Sequence, residues 1–484
     1  MPVNILYLKK LSYFLTIFIL ILIHIFLKRL DLINFEYKIE FILTFIFYLS
    51  VTFISIRIIF DHEIMFKFMK RNKIKILLIS FIVNLLIILS IKIYSFDYIN
   101  IYTLSGLNEH RATHWLTNFQ NYGFIKRSLV GTVYHFIFGN PPSYFNILVI
   151  SYFVLISKII IILYFSIDLL KRFYSNSNFV FVILFFTTPY FINFYLTDIG
   201  RLDQINNLIL LMITIIILKN KLNYFLSITI GLLCVIGILV HEAFILIQIP
   251  YLIFIILMDF LNRNKLKDLN YISNFLIILL IMITGVYINF KFGYPTHISF
   301  DEMKILLEDY DSFIPRLDLI ETFFADPIKN LNISRHWAST FNILNDYRAG
   351  PYLLIDFLLL NLPCIGLGIF ILFKHLKQNK DKFFNLNYLI LIFLLSQILI
   401  RFSITYIDFY RVFAYLILFI FLTNYYFYNF NSKIDTDLSE IYSFRLIYYG
   451  VFYNFALTGI TVITAFGVGS PSIYLYIFDK IFFK

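Results

Sequence analysis

Charged residues are scarce in this 484-residue chain. Asp, Glu, Lys and Arg together make up 14% of it, whereas soluble domains average about 25%. This scarcity excludes a soluble globular protein, and a hydrophobic content of 60% excludes a disordered one. The two cysteines, Cys234 and Cys364, both lie in apolar stretches, so the chain lacks the basis for a disulfide framework or a thiolate metal site. Gly- or Pro-rich linkers between soluble modules are also missing.

Long apolar runs are what the chain has instead. A run of about 20 apolar residues forms a helix that crosses a hydrocarbon core about 30 Å thick. Such runs recur along the whole length and predict an all-α polytopic membrane protein with about thirteen spans. The predicted spans are 11–28, 39–60, 76–96, 143–170, 179–197, 205–219, 224–241, 244–261, 272–290, 351–373, 388–404, 412–428 and 446–469.

The formal net charge of +11 has its explanation in the short loops between spans, and we expect no nucleic-acid partner. Cytoplasmic loops of membrane proteins carry an excess of Lys and Arg. With a cytoplasmic N-terminus, five successive inner loops are basic. Their cations are Lys67, Lys70, Arg71, Lys73, Lys75, Lys171, Arg172, Lys219, Lys221, Arg263, Lys265, Lys267, Lys374, Lys377, Lys380 and Lys382.

This orientation places every long or unusual polar segment on the outer side: 97–142, 198–204, 241–243, 291–350 and 405–411. The first holds Asp97, Glu109, Trp115 and the pair Lys126 and Arg127. A carboxylate can act as general base, a Trp can support a sugar ring, and cations can hold phosphate oxygens. The apolar stretch 128–138 is too short to span and is expected to lie at the interface. The alternative is an interfacial loop with snorkelling cations.

The second and third outer segments are short polar turns. One holds Asp198, Arg201 and Asp203, and the other holds His241 and Glu242 inside an otherwise apolar stretch. Ionisable groups at membrane depth are costly unless they are paired or face a wet cavity. A site for a divalent cation or an acceptor hydroxyl is one interpretation. The structural alternative for the second segment is an ion pair of Arg201 with Asp198 or Asp203. For the third segment it is a core histidine whose hydrogen bonds are satisfied.

Two further outer segments contribute less. Arg411 follows Asp408 at helical spacing, which suits either a pyrophosphate ligand or a local ion pair. Segment 291–350 contains Arg335 and Trp337 and one predicted amphipathic helix near 301–311.

The order of these outer segments resembles the GT-C superfamily of membrane glycosyltransferases and, more loosely, bacterial O-antigen polymerases. In those proteins an acidic residue lies in a long first outer loop with interfacial helices. A second acidic turn follows two spans later, and then comes a further polar motif, often with His. Segments 97–142, 198–204 and 241–243 follow that order within 76–290. Residues 121–131 (NYGFIKRSLVG) also resemble a sequence motif of proteins encoded in surface-polysaccharide gene clusters. Unlike the family pattern, two extra spans come first and the first two outer loops have no DxD.

Because no Pro- or Gly-rich linker and no charge run separates soluble modules, we expect one membrane domain over 1–484. Residues 1–75 add two spans, 76–290 form the GT-C-like core, 291–350 form a large outer segment, and 351–484 form the C-terminal spans. The resemblance implies an enzyme of the bacterial inner membrane whose site lies on the periplasmic side. A polyprenyl-(pyro)phosphate sugar is the expected donor, and a glycan is the expected acceptor. The expected partners of the protein are the lipid bilayer and other glycan-assembly proteins.

The expected roles follow from the negative charge that the leaving phosphate gains, which fixed cations stabilise. Glu109, ahead of Asp97, is the expected general base, and Asp203 the second acid. His241, beside Glu242, assists the leaving group. The expected substrate-binding residues are Trp115, Lys126, Arg127, Asp198, Arg201, Arg335 and Arg411. No cofactor is assigned, and a requirement for Mg²⁺ or Mn²⁺ stays open. The rival function is a lipid-linked oligosaccharide flippase or other transporter, which should carry midplane ionisable groups and repeated halves.

Overall fold

The computed structural model describes residues 62–94, 107, 109–188, 199–262, 268–293, 297–308, 310, 315, 324, 361–378, 409–430 and 438–458. All regular structure in these ranges is helical. The helices, in chain order, are α1 His62–Arg71, α2 Lys73–Tyr94, α3 Glu109–Thr113, α4 Phe119–Tyr122, α5 Leu129–Phe138, α6 Tyr144–Arg172, α7 Asn176–Thr187, α8 Leu202–Lys219, α9 Tyr224–Val240, α10 Ala243–Asn262, α11 Leu269–Phe292, α12 Phe300–Glu308, α13 Leu362–Gln378, α14 Phe409–Phe430 and α15 Glu440–Thr458.

Four of these helices, α6, α8, α10 and α11, are long and apolar enough to cross a membrane. Helices α5, α7, α9 and α13 are apolar but shorter. The all-helical membrane character predicted from the sequence is therefore confirmed. The count of thirteen spans stays a prediction, because the proposed spans 11–28, 39–60 and 388–404 lie outside the described residues.

Polar residues at the helix beginnings explain where several helices start. Ser143, Ser175 and Asn223 precede α6, α7 and α9, and the side chain of each accepts a hydrogen bond from a backbone N–H in the first turn. Asp268 does the same for two N–H groups of α11. Such caps satisfy donors that the helix itself leaves unpaired, and each contributes about 1 kcal/mol.

Helix α7 lies at the centre of the bundle. All twelve of its residues are buried, and it packs against α2, α13 and α15. Its last turn is held by asparagines: Asn84 donates to the Phe186 carbonyl at 2.8 Å, and Asn454 donates to the Thr187 hydroxyl at 3.0 Å. Amides that satisfy a helix end in this way are typical of contacts between helices in lipid.

The predicted inner loop between spans 39–60 and 76–96 is helical over its described part, from residue 62. Only Asn72 separates α1 from α2. Helix α1 buries Phe66 and Met69 and exposes Lys67 and Lys70, and it packs against α15. Its apolar face therefore docks on the bundle while its cations stay in solvent.

Two predicted short elements are present. The apolar stretch 128–138 forms α5, whose Phe136, Ile137 and Phe138 are exposed, as expected for a helix at an interface. The amphipathic segment near 301–311 forms α12, which buries Met303 and Leu307 and exposes Ile305 and Leu306.

The helix ends that the sequence places inside come together at one end of the bundle, which we call the basic end. It comprises α1, the beginnings of α2, α7 and α15, and the ends of α6, α8 and α14. Lys73 lies 4.3 Å from the centre of the Tyr174 ring, and Lys70 lies 3.7 Å from the Glu440 carboxylate. Lys219 lies over the Tyr164 ring at 4.8 Å. Cations of two predicted inner loops thus contact residues of neighbouring segments at this end.

Candidate functional site

Segments 109–128, 199–207 and 241–243 meet at the opposite end, which we call the polar end. Trp115 of the first segment is buried, and its indole N–H donates to the Gly200 carbonyl at 2.7 Å. Gly200 has φ of 85°, a conformation that favours glycine. Arg111 adds a contact of 3.5 Å to the Ile199 carbonyl. These bonds fix the first polar segment onto the second.

Trp115 was expected to support a sugar ring. The structure places it in the packed interior at 2% exposure. Its carbonyl and that of Thr117 also lie against Gly131 of α5, where an added Cβ would approach the two oxygens to 2.5 and 2.1 Å. The observed contacts of Trp115 are therefore those of a residue that holds the polar end together.

An ion pair joins the first polar segment to the third. The Arg127 guanidinium donates through Nε and Nη2 to both carboxylate oxygens of Glu242, with Nε at 2.9 and 2.8 Å from them. The side chains are 17% and 25% exposed. Arg127 has φ of 67°, in the left-handed region that long side chains rarely adopt. Strained backbone of this kind persists where the surroundings over-determine it and is concentrated at functional sites.

The charge state of Glu242 follows from its neighbours. Burial alone would raise the pKa of Glu242, but Arg127, followed by His241 and Lys126, lowers this pKa well below its ordinary value. Glu242 is consequently ionised at neutral pH and in place to orient the Arg127 guanidinium.

A second polar contact joins the second segment to the third. Asp203, in the first turn of α8, is 1% exposed, and its Oδ1 lies 3.6 Å from His241 Nδ1. The backbone N–H of Ala243 donates to that same Nδ1 at 3.0 Å. A nitrogen that accepts a hydrogen bond carries no proton, so the ring proton of neutral His241 lies on Nε2. The helix N-terminus favours a negative charge on Asp203.

Two more cations lie beside these pairs. Lys126 is 3% exposed, and its backbone N–H donates to the Gly293 carbonyl at 3.2 Å. This bond brings the beginning of segment 291–350 to the polar end. Arg201 occupies the N-cap position of α8 and is half-buried. The polar end therefore brings Asp203, Glu242 and His241 together with the cations Lys126, Arg127 and Arg201.

Sequence reasoning noted Asn206 and Asn207 at the start of the span after the second polar turn, but it overlooked Lys158 and Gln248. Lys158, fourteen residues after the first residue of α6, is fully buried and donates to the Gln204 amide oxygen. Asn206, Asn207 and Gln248 are also fully buried. The signal for Lys158 was present: a single cation in an apolar run is a functional hypothesis by default.

The other predicted site residues are placed as follows. Glu109 begins α3 with an exposed side chain, and its carboxylate makes no hydrogen bond or ion pair with another described residue. Arg411 lies in the first turn of α14. Asp97, Asp198 and Arg335 lie outside the described residues. Their roles stay predictions.

No group of three or more His, Cys, Asp or Glu residues that could hold a metal ion occurs in the described part of the chain. The question of Mg²⁺ or Mn²⁺ stays open. Comparison with known proteins adds no assignment, because no family model, no curated protein and no solved structure matches the chain.

Proposed function

We propose that the chain is a membrane glycosyltransferase or polysaccharide polymerase acting at the extracytoplasmic face. Its donor is a polyprenyl-(pyro)phosphate-linked sugar, and its product belongs to a surface glycan. One observation carries the proposal: the polar turns of three segments distant in sequence meet as the pairs Arg127–Glu242 and Asp203–His241. An isolated charge is costly at membrane depth. Here the charged side chains contact one another, and carboxylates, an imidazole and an arginine are the groups that sugar transfer from a phosphate needs.

In the proposed reaction Asp203 is the general base. Its carboxylate takes the proton of the acceptor hydroxyl, and the acceptor oxygen forms the new bond to the anomeric carbon. The bond from that carbon to the phosphate oxygen breaks, and the phosphate leaves with the electron pair. A positioned general base of this kind contributes about 10²–10⁴-fold in rate. His241, beside Asp203, donates from Nε2 to substrate oxygen.

The leaving phosphate gains negative charge, and fixed cations lower the barrier by stabilising it. Arg127 is the main candidate, with Lys126 and Arg201 as its neighbours. Because Glu242 binds the Nε–Nη2 edge of Arg127, the orientation of the guanidinium fork is set before substrate arrives. Planar two-oxygen binding of phosphate is the property in which Arg exceeds Lys.

Asp203 is preferred to Glu109 as the base on geometric grounds. The Asp203 carboxylate is buried and 3.6 Å from an imidazole nitrogen, whereas Glu109 is exposed. A general base needs a fixed position relative to the proton it removes. This reverses the order of roles expected from the sequence.

A transporter is the second candidate, and Lys158 is the observation that favours it. Its position midway along a 29-residue apolar helix is where substrate-pathway charges of transporters lie. The two functions predict different precursor locations. A flippase defect leaves lipid-linked saccharide in the inner leaflet, and a transferase defect leaves it in the outer leaflet.

The test is a deletion strain complemented with wild-type protein, Asp203→Asn or Lys158→Met, at equal membrane abundance. Lipid-linked saccharides are then quantified with a membrane-impermeant oxidant that reaches the outer leaflet alone. We expect Asp203→Asn to lose surface glycan and to accumulate outer-leaflet precursor. Accumulation in the inner leaflet, or normal glycan with Asp203→Asn, would replace this proposal with the transporter.

A further inference from the structure

Three uncharged amides lie next to the Asp203–His241 pair, two of them further along α8 and the third on α10. Asn206 and Asn207 follow Asp203 on α8 by three and four residues, a spacing that places all three on one face of the helix. Gln248 faces them from α10, in contact with Asn207. All three amides have 0% exposure.

These amides satisfy only part of their hydrogen-bonding capacity. Asn206 Nδ2 donates to the His241 carbonyl at 3.1 Å, and Gln248 Nε2 approaches Asn207 Oδ1 at 3.4 Å. The remaining atoms, Asn206 Oδ1, Asn207 Nδ2 and Gln248 Oε1, have no hydrogen-bond partner among the described residues.

Leaving a buried donor or acceptor unpaired costs about 1–3 kcal/mol. Leucine at such positions would give an equally packed core without that cost. Three such atoms in one contact group are therefore a liability for folding alone. Their chemistry is specific: two acceptors and one donor, with no charge, match the hydroxyl groups of a sugar ring better than they match a phosphate or a cation.

We propose that Asn206, Asn207 and Gln248 form the sugar subsite, binding the hydroxyls of a hexose or N-acetylhexosamine. This inference rests on the proposed function, in which the Asp203 carboxylate acts on the acceptor and Arg127 meets the phosphate. The subsite lies one helical turn below Asp203, so a sugar held by these amides has its ring beside the proposed base. A site built to pair hydroxyls discriminates strongly against ligands that lack them, because its buried polar groups then stay unpaired.

The test uses the full-length protein in lipid nanodiscs and measures binding without turnover. The probes are farnesyl phosphate and a panel of farnesyl-phosphoryl sugars carrying glucose, galactose, mannose or N-acetylglucosamine. The variant is Asn207→Leu combined with Gln248→Leu, so that neither amide is left facing an apolar partner. The control is Asn424→Leu, which removes an equally buried amide of α14 whose Oδ1 likewise has no partner among the described residues.

For the wild type we expect at least one sugar-bearing probe to bind tenfold or more tighter than farnesyl phosphate. The double variant should lose that difference, bind farnesyl phosphate within about twofold of wild type, and unfold at an equal or higher temperature. Asn424→Leu should keep the wild-type preference.

Three results would overturn the subsite. They are a wild type that binds every probe as it binds farnesyl phosphate, a double variant that keeps the wild-type preference, and a control that loses the preference as well. Failure of the proposed function has a different signature. If sugar preference depends on the two amides but purified protein transfers no sugar from any probe, the subsite stands and belongs to a transporter.

Discussion

The two ends of the helical bundle hold their charges in different ways. At the basic end the ion pairs are short-range or partly exposed: Asp168 pairs with Arg172 four residues away and accepts a hydrogen bond from the Tyr425 hydroxyl of α14, and Lys70 and Glu440 are 44% and 31% exposed. At the polar end Arg127 pairs with Glu242 across 115 residues, and Asp203 is 1% exposed. Exposed pairs contribute little to stability, whereas buried charge needs specific partners. The polar end thus carries the larger cost of buried charge.

The largest expected effect separates the two ends by activity. Asp203→Asn should lower sugar transfer by about 10²–10⁴-fold because it removes the proposed general base. Asp168→Asn, the matched change at the basic end, should keep activity within about twofold. Transfer is measured per unit of folded protein in purified membranes. Equal losses from the two substitutions would remove the functional distinction between the ends.

Packing at the polar end should also be less tolerant. Gly131→Ala should destabilise the protein by about 1–3 kcal/mol or more, because the new Cβ meets the Thr117 and Trp115 carbonyls at 2.1 and 2.5 Å. Gly366→Ala in α13, where a Cβ meets nothing within 4 Å, should be neutral or slightly stabilising. Thermal unfolding followed by tryptophan fluorescence compares them. A neutral Gly131→Ala would show that α5 does not press on the Trp115 segment.

The Arg127–Glu242 pair can be measured by a double-mutant cycle. Arg127→Gln and Glu242→Gln should each destabilise the protein, and the double substitution should cost less than their sum, with a coupling of about 0.5–3 kcal/mol. The equivalent cycle on Lys70→Gln and Glu440→Gln should give about 0–1 kcal/mol. A polar-end coupling no larger than the basic-end one would mean that Glu242 does not hold Arg127.

The same pair predicts a pH dependence. Because Arg127 lowers the folded-state pKa of Glu242, the pair's contribution is fully present above the ordinary pKa of 4.5. It is lost as pH falls from there through the lowered pKa. The difference in melting temperature between wild type and Glu242→Gln should therefore stay constant from pH 8 to about 5 and shrink below about pH 4.5. A difference that shrinks as pH rises would indicate a raised pKa.

The smallest effect should come from the basic end alone. Glu440→Gln removes one partner of a pair whose side chains are 44% and 31% exposed, and it should change the free energy of unfolding by about 0.5 kcal/mol or less. Raising salt to 1 M should remove even that difference, because exposed charges are screened. A salt-resistant loss would show that Lys70 and Glu440 act as a buried pair.

Much of the fold was predictable because apolar run length fixes helix length in lipid. The expected spans 143–170 and 224–241 correspond to Tyr144–Arg172 and Tyr224–Val240, within two residues. The meeting of the first three polar segments was also predictable, since isolated charge at that depth is costly. Lys158 was overlooked because one cation barely changes the hydropathy of a long span.

The specific partners could not be predicted. The sequence left open an ion pair of Arg201 with Asp198 or Asp203, which stays a prediction. It gave no indication that Asp203 would lie beside His241 or that Glu242 would bind Arg127. Trp115 is a residue type that can support a sugar ring, but its indole N–H is buried and donates to the Gly200 carbonyl. A residue type restricts the chemistry that is possible, and burial selects among the possibilities.

By itself, the sequence determined that this chain is a bundle of apolar helices in which five successive loops on one predicted side are basic. Both properties follow from local composition: a run of apolar residues must be helical in lipid, and Lys and Arg bias the side on which short loops remain. Only the tertiary structure decided which carboxylate is buried, which Arg is held, and that Asn206, Asn207 and Gln248 lie below Asp203. Those facts depend on the packing of α8 against α9 and α10, and packing brings together residues that no pattern along the chain connects.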